Sequence, residues 1–353
     1  MEAATEFKRG ASSPVDWSLA ISTGQRLVRR GPDVPMAEAE VTVRELRDAT
    51  DVAEGHVREL TGLGHGLPLP PGEVVDRPGW IRAAAEGLEV LTEGALPRAY
   101  SGPVGAVMSG SAGVQAGMVL AFLGARVLGQ YDPFNDGRLL LVAPNIIGAQ
   151  RALDVPAGDF RMWVCLHECT HRLQFTAVPW LKDYFSGQVR KFLSGMDDSA
   201  ASALNRFPDV IKEARRRSLD PDASSGPVTL MELLQSSEQR EVFDRLIALS
   251  TLLEGHADFV MDAVGPSVVP TVEVIRSRFT ERRRGGGLLD RVLRTLLGVD
   301  AKVKQYAAGA KFTKHVVDQA GMAGFNAVWT SAETLPLRSE ITDPDAWLRR
   351  VRP

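Results

Sequence analysis

Two cysteines in 353 residues are too few for a disulfide scaffold, and both sit in one apolar run, at Cys165 and Cys169. A helix holds residues four apart too rigidly for easy disulfide geometry. Two free thiols in a reducing, cytoplasmic compartment are therefore expected. Charge of one sign is also missing: 41 Lys and Arg against 44 Asp and Glu leave a net charge of −3. No basic field follows a phosphate backbone, so nucleic acid is not an expected partner. The opening MEAATEFKRGASSPVDW has no apolar stretch of the kind a signal peptide needs, and residues 1–13 read as disordered. Long apolar runs are rare. One, Ala106 to Leu128, is long enough to span a bilayer, but Ser, Gln115 and Arg126 dilute it. A tightly packed internal helix is the expectation, with no membrane span.

What remains is 44% hydrophobic and 24% charged residues, the composition of a globular chain with ample core. Apolar periodicity is helical over most of the length. In Ala37–Leu63 it places Val41, Val43, Leu46, Ala49, Val52 and Val57 on one stripe. A Pro/Gly-rich connector follows, up to Trp80, with His56 and His65 as surface or linker histidines. Val127–Tyr131 and Arg138–Val142 flank the turn sequence DPFNDG and predict a β-hairpin. Asp159 is a plausible N-cap for the next helix. Further helices are predicted at 181–195, 229–264, 268–284, 288–297 and 299–320, and DPDAWLRRV closes the chain as a short one. The fold class is mainly α with a small β-hairpin or sheet (α+β). A single domain over 14–353 is expected, with a helical lobe at 14–130 and a metal-site and C-terminal helical lobe at 131–353.

The chemistry lies in WVCLHECTHRLQF, Trp163 to Phe175. His167 and His171 are four apart, about 40° around a helix, so both imidazoles project to one side and can share one Zn²⁺. Glu168 lies beside His167 and can serve as general base on a water at the metal without binding it. Cys165 and Cys169 point away and read as packing. With six histidines in the chain, H-E-x-x-H by chance is on the order of a one-per-cent event. A core helix of satisfied histidines would bury Glu168 and two imidazoles together without partners, a conflict that a metal removes.

A catalytic zinc needs a third protein ligand and an open position. Leu246–Gly265 is apolar except at Glu254, His256 and Asp258. Glu254 and Asp258 share a face, which suits a carboxylate ligand plus an Asp hydrogen-bonded to the outer nitrogen of a ligating imidazole. His256, about 200° from Glu254, is the alternative ligand.

Taken together, VDRPGW (75–80), LGQYDPF (128–134), LLLVAPN (139–145), LHECTHRLQF (166–175), LLEGHADFVMD (252–262), KVKQYAAGAKF (302–312), FNAVW (325–329) and DPDAW (343–347) resemble an actinobacterial zinc metalloprotease family. That family is known as Zincin-2 and is often described as associated with deazaflavin-coenzyme biosynthesis. The resemblance runs from about Val15 to Val351. It implies a mostly helical zincin-like fold, one Zn²⁺ per chain and a hydrolase or peptidase activity. Cys169 is a less usual filler within the motif.

The leading expectation is a metallopeptidase acting on a peptide or protein substrate, with His167, His171 and Glu254 on zinc and Glu168 as base. Tyr306 is a candidate donor to the oxyanion, and the Arg138–Val142 strand a candidate edge for an extended peptide. Two other readings stand beside it. One is a non-catalytic binding or regulatory protein of the same fold, and the other a small-molecule amidohydrolase near coenzyme metabolism.

Overall fold

The computed structural model describes residues 13–95, 103–195, 237–284 and 299–353; within these, the side chains at 103–104, 282–284 and 299–307 lie outside the description. The helix expected at 288–297 falls outside the described residues, as do 229–236 and most of the N-terminal segment.

Helix α1 (Trp17–Leu27) starts at Asp16, whose carboxylate accepts from Leu19 N at 2.9 Å. Helix α2 (Met36–Thr61) buries Thr42, Leu46, Thr50, Ala53, Val57 and Thr61. The expected stripe is therefore rotated, because Val41 and Val52 are exposed and threonines face the core. Those threonines are admissible there because their hydroxyls find carbonyls of the preceding turn: Thr50 Oγ1 donates to Leu46 O at 2.7 Å and Thr61 Oγ1 to Val57 O at 2.6 Å.

Strand β1 (Glu73–Val75) lies in what reads as a connector in the sequence, and α3 (Arg77–Thr92) follows, capped by Asp76. Helix α4 (Pro103–Gly124) is the long apolar run. One side is seated on α1 through Gly113 and Gly117, while Val107, Met108, Val114, Met118 and Val119 are exposed. The internal-helix expectation thus holds for one face only, and Gly105–Gly124 remains long and apolar enough to cross a membrane by length and composition.

The hairpin forms as expected, from β2 (Gly129–Asp132) and β3 (Arg138–Val142). The sheet order is β1-β3-β2. Strand β3 is central, parallel to β1 and antiparallel to β2, with Gly129 opposite Leu141 and Asp132 opposite Arg138. Its alternation feeds two cores: Leu139 and Leu141 join the larger cluster, while Leu140 and Val142 join the one built on α1, α3 and α4. The lobe boundary expected at 130/131 runs through β2 itself.

Helix α5 (Ala143–Leu153) leads to α6 (Ala157–Thr176), which carries the histidines. Its N-cap is Pro156, not Asp159. Asp159 stands in the first turn and accepts instead from Thr271 N and Thr271 Oγ1, at 3.0 and 2.7 Å. Arg172, nearly fully buried, ties α6 to α2 by an ion pair with Glu54 and donates to Pro70 O at 2.7 Å.

A helix over 181–195 (α7) precedes α8 (Ser237–Ala263), α9 (Val272–Arg284) and α10 (Val299–Phe325), and α11 (Arg338–Thr342) and α12 (Pro344–Val351) close the chain.

Helices α8 and α10 touch backbone to backbone. A Cβ at Gly255 would lie 2.1 Å from the Gly309 carbonyl carbon, and one at Gly309 would lie 2.1 Å from Thr251 O. No side chain can swing aside to relieve either clash. Gly255→Ala is expected to cost at least about 1–3 kcal/mol, the usual scale of overpacking. Thermal unfolding checks this, and an unchanged Tm would mean the two helices separate freely.

Candidate metal centre

The candidate site lies where α6, α8 and β2 meet. On α6 the one-turn spacing brings the rings of His167 and His171 within 4.6 Å, nearly perpendicular, with their Nε2 atoms 3.2 Å apart. From α8, Glu254 Oε2 lies 3.7 Å from His167 Nε2 and Glu254 Oε1 lies 3.9 Å from His171 Nε2. All three residues are partly exposed, and one donor atom from each falls within 4.8 Å of the others.

Zinc bound at about 2.0–2.2 Å in tetrahedral geometry spaces its donors by about 3.3 Å. The observed 3.2–3.9 Å separations fit that ion with small adjustments. Two imidazole nitrogens and a carboxylate, each an acceptor when deprotonated, converging from two helices are the donor set of a cation site. His167, His171 and Glu254 are the residues that would hold it.

His256 is not part of this group. It is completely buried, packed at a tilt against Phe325 (4.9 Å between ring centroids) and Trp329 (5.7 Å). Burial foremost, and then His171, depress its pKa to about 3, so it is neutral. Glu254, two residues earlier and on the other side of the helix, is the one whose carboxylate comes within 3.9 Å of both histidines.

Glu168, next to His167 in the chain, is buried, with 6% of its surface exposed. Burial raises its pKa well above the ordinary 4.5, and the Glu254 carboxylate adds to the rise. Strand β2 closes over it at Gly129, where an added Cβ would lie 2.6 Å from Glu168 Cγ and 2.8 Å from Oε1. Glycine is required there by this close approach, since any side chain would collide with the carboxyl group.

Cys165 and Cys169 point to the opposite side, as their spacing requires. Cys169 Sγ lies 3.5 Å from Thr50 O and Cys165 Sγ 3.7 Å from Thr50 Oγ1, both fully buried. Desolvation pushes Cys165 up to about 12, an inert thiol.

The outer nitrogens have partners the sequence reading did not name. His171 Nδ1 lies 2.9 Å from Gln174 Oε1, and His167 Nδ1 lies 3.3 Å from Met261 Sδ. Gln174 is three residues past His171 on the same face of α6, a spacing that could have flagged it. Asp258 is partly buried on α8, with Oδ1 3.6 Å from Arg276 Nη1. Tyr306 belongs to α10, but its side chain lies outside the described residues.

Comparison with known proteins gives the family. A family model described as zincin-like metallopeptidase matches residues 15–348. A crystal structure from Chloroflexus aurantiacus, described as a candidate hydrolase with a novel fold, is similar to this chain at 29% identity and a TM-score of 0.64. That likeness covers 96% of this chain and 99% of the other. No curated protein matches.

Proposed function

Because the chain belongs to the zincin-like metallopeptidase family, we propose that it is a zinc-dependent hydrolase and, within that class, a metallopeptidase. One observation carries the reading: three donors converge on a cation-sized space, and a buried carboxylate that is not one of them, Glu168, follows His167 directly and feels the charge of Glu254. Zinc held there supplies Lewis acidity and a water that is nucleophilic at neutral pH.

The residues do the rest. Glu168, kept proton-hungry by burial, takes a proton from the attacking water as the new C–O bond forms. As the C–N bond breaks, the same carboxyl hands that proton to the leaving amine, so the proton count balances. A purely structural zinc has no use for such a group. Among the described residues the sheet has two edges, β1 and β2, with β3 between them, and it is the β2 edge that packs on Glu168 through Gly129. An extended peptide would add to β2. This corrects the edge expected at Arg138–Val142, whose two sides are already paired by β1 and β2.

Two further roles belong to the proposal. Asp258, one turn beyond Glu254, supports the centre by contacting the outer nitrogen of His167, since Gln174 occupies that of His171. Tyr306 donates to the oxyanion.

The test is elemental analysis of purified protein together with a peptide-library digest. The expected result is about one zinc per chain, with cleavage abolished by a chelator and restored by zinc. Zinc-free protein with unimpaired cleavage would overturn the reading. Cleavage confined to small amides would move the substrate class to metabolites without changing the chemistry.

A further inference from the structure

A buried amide joins the second histidine to the helix that carries the third ligand. Gln174 is fully buried, and its Nε2 lies 2.9 Å from Leu253 O and 3.1 Å from His256 Nδ1. The Leu253 carbonyl can only accept a hydrogen bond. The amide must therefore turn its NH₂ toward α8, which leaves Oε1 facing His171. Oε1 can only accept as well, so His171 must carry its proton on Nδ1. Its Nε2, aimed at Glu254, is then a bare lone pair.

The same logic fixes His256. Gln174 spends its second N–H on His256 Nδ1, which must accept, so the proton of that ring sits on Nε2. That nitrogen is buried without a hydrogen-bond partner. A buried polar group left unpaired costs about 1–3 kcal/mol. An apolar side chain among Phe325 and Trp329 would avoid this cost. What histidine adds is the acceptor that, with Leu253 O, holds the amide in one orientation.

We infer that Gln174, held by Leu253 O and His256, is a positioning residue that locks the His171 tautomer and clasps α6 to α8 at the metal centre. It acts on both helices at once, because Leu253 directly precedes Glu254. The two ligands are then set by one side chain before any cation arrives, and the ordering need not be supplied by binding. The inference rests on the reading of His171 and Glu254 as ligands.

Two measurements test it. In metal-free wild type, long-range ¹H–¹⁵N spectra of the imidazoles should show His171 as the Nδ1–H tautomer; a predominantly Nε2–H ring would overturn the inference without any variant. In chelator competition, Gln174→Met keeps the volume but none of the three hydrogen bonds. It should bind zinc about 10- to 100-fold more weakly, at unchanged stoichiometry, with His171 released to a tautomer mixture. His256→Leu should weaken binding too. His256→Asn, whose Oδ1 can stand where Nδ1 stood, should recover most of that loss. Wild-type affinity and tautomer in Gln174→Met would overturn the clasp. Failure of wild type itself to bind zinc would instead defeat the metal-centre reading, and the tautomer result would still stand or fall alone.

Discussion

Glu168→Gln is expected to keep about one zinc per chain and to lose at least about 100-fold in turnover, the usual scale for a positioned acid–base group. The side chain is not among the converging donors, so its neutralisation leaves His167, His171 and Glu254 in place. Glutamine has the same shape and fits under Gly129, so the loss would be chemical and not steric. Equal rates for the two zinc-loaded proteins would remove Glu168 from the mechanism and favour a binding or regulatory protein.

The same substitution has a signature in stability. A carboxyl whose pKa is raised on folding binds its proton more tightly in the native state than in the unfolded chain. Between the unfolded value, near 4.5, and the higher native one, metal-free protein should lose stability as pH rises, by up to about 1.4 kcal/mol per pH unit from this group. Glu168→Gln should flatten that slope and unfold no more easily than wild type near neutrality. Denaturant titrations at several pH values decide it, and a persistent slope in the variant would assign it elsewhere.

The second large effect is on the metal. His171→Ala removes a donor and leaves Gln174 Oε1 without the imidazole it faces at 2.9 Å. Zinc affinity should fall by more than the roughly 100-fold upper limit usual for an outer partner, because a ligand itself is lost. His256 offers the contrast, since it is just as buried in the same region but turned away from the donors. Its replacement by leucine should still give a full equivalent at saturating zinc. Normal zinc content in His171→Ala would sink the site.

What was legible in the sequence was local. One-turn spacing placed His167 and His171 on one face, and a Pro/Asn/Gly-rich turn marked the hairpin, because both signals are written within a few residues. Pairings across the chain were not. Glu73–Val75 is too short to show a period and sits among prolines and glycines, so nothing announced that it pairs with Leu140–Val142. Without β1, β3 read as an edge.

The same limit explains α2. Apolar counting favoured Val41 and Val52, whereas Thr42 and Thr50 were chosen for burial by a partner helix the sequence does not reveal. Thr42 Oγ1 accepts from Arg161 of α6 at 3.0 Å. Helix α4 misled in the opposite direction, because its composition says apolar on every side but not which side finds a neighbour. Glu254 was separable from His256 by helix angle, but Gln174 became visible only once α6 and α8 were side by side.

The pairing of Gly129 with Leu141 has a consequence for how this gene can vary. The residue over Glu168 is chosen by how many residues lie in the turn between β2 and β3. A one-residue insertion or deletion there would slide β2 along β3 and bring Leu128 or Gln130 to the position where only hydrogen fits. If β3 shifted instead, its leucines would trade faces and each core would receive the other's side chains. Loops elsewhere on the surface can lengthen with little penalty. This turn cannot, so its length acts as a reading frame for the residue that covers Glu168.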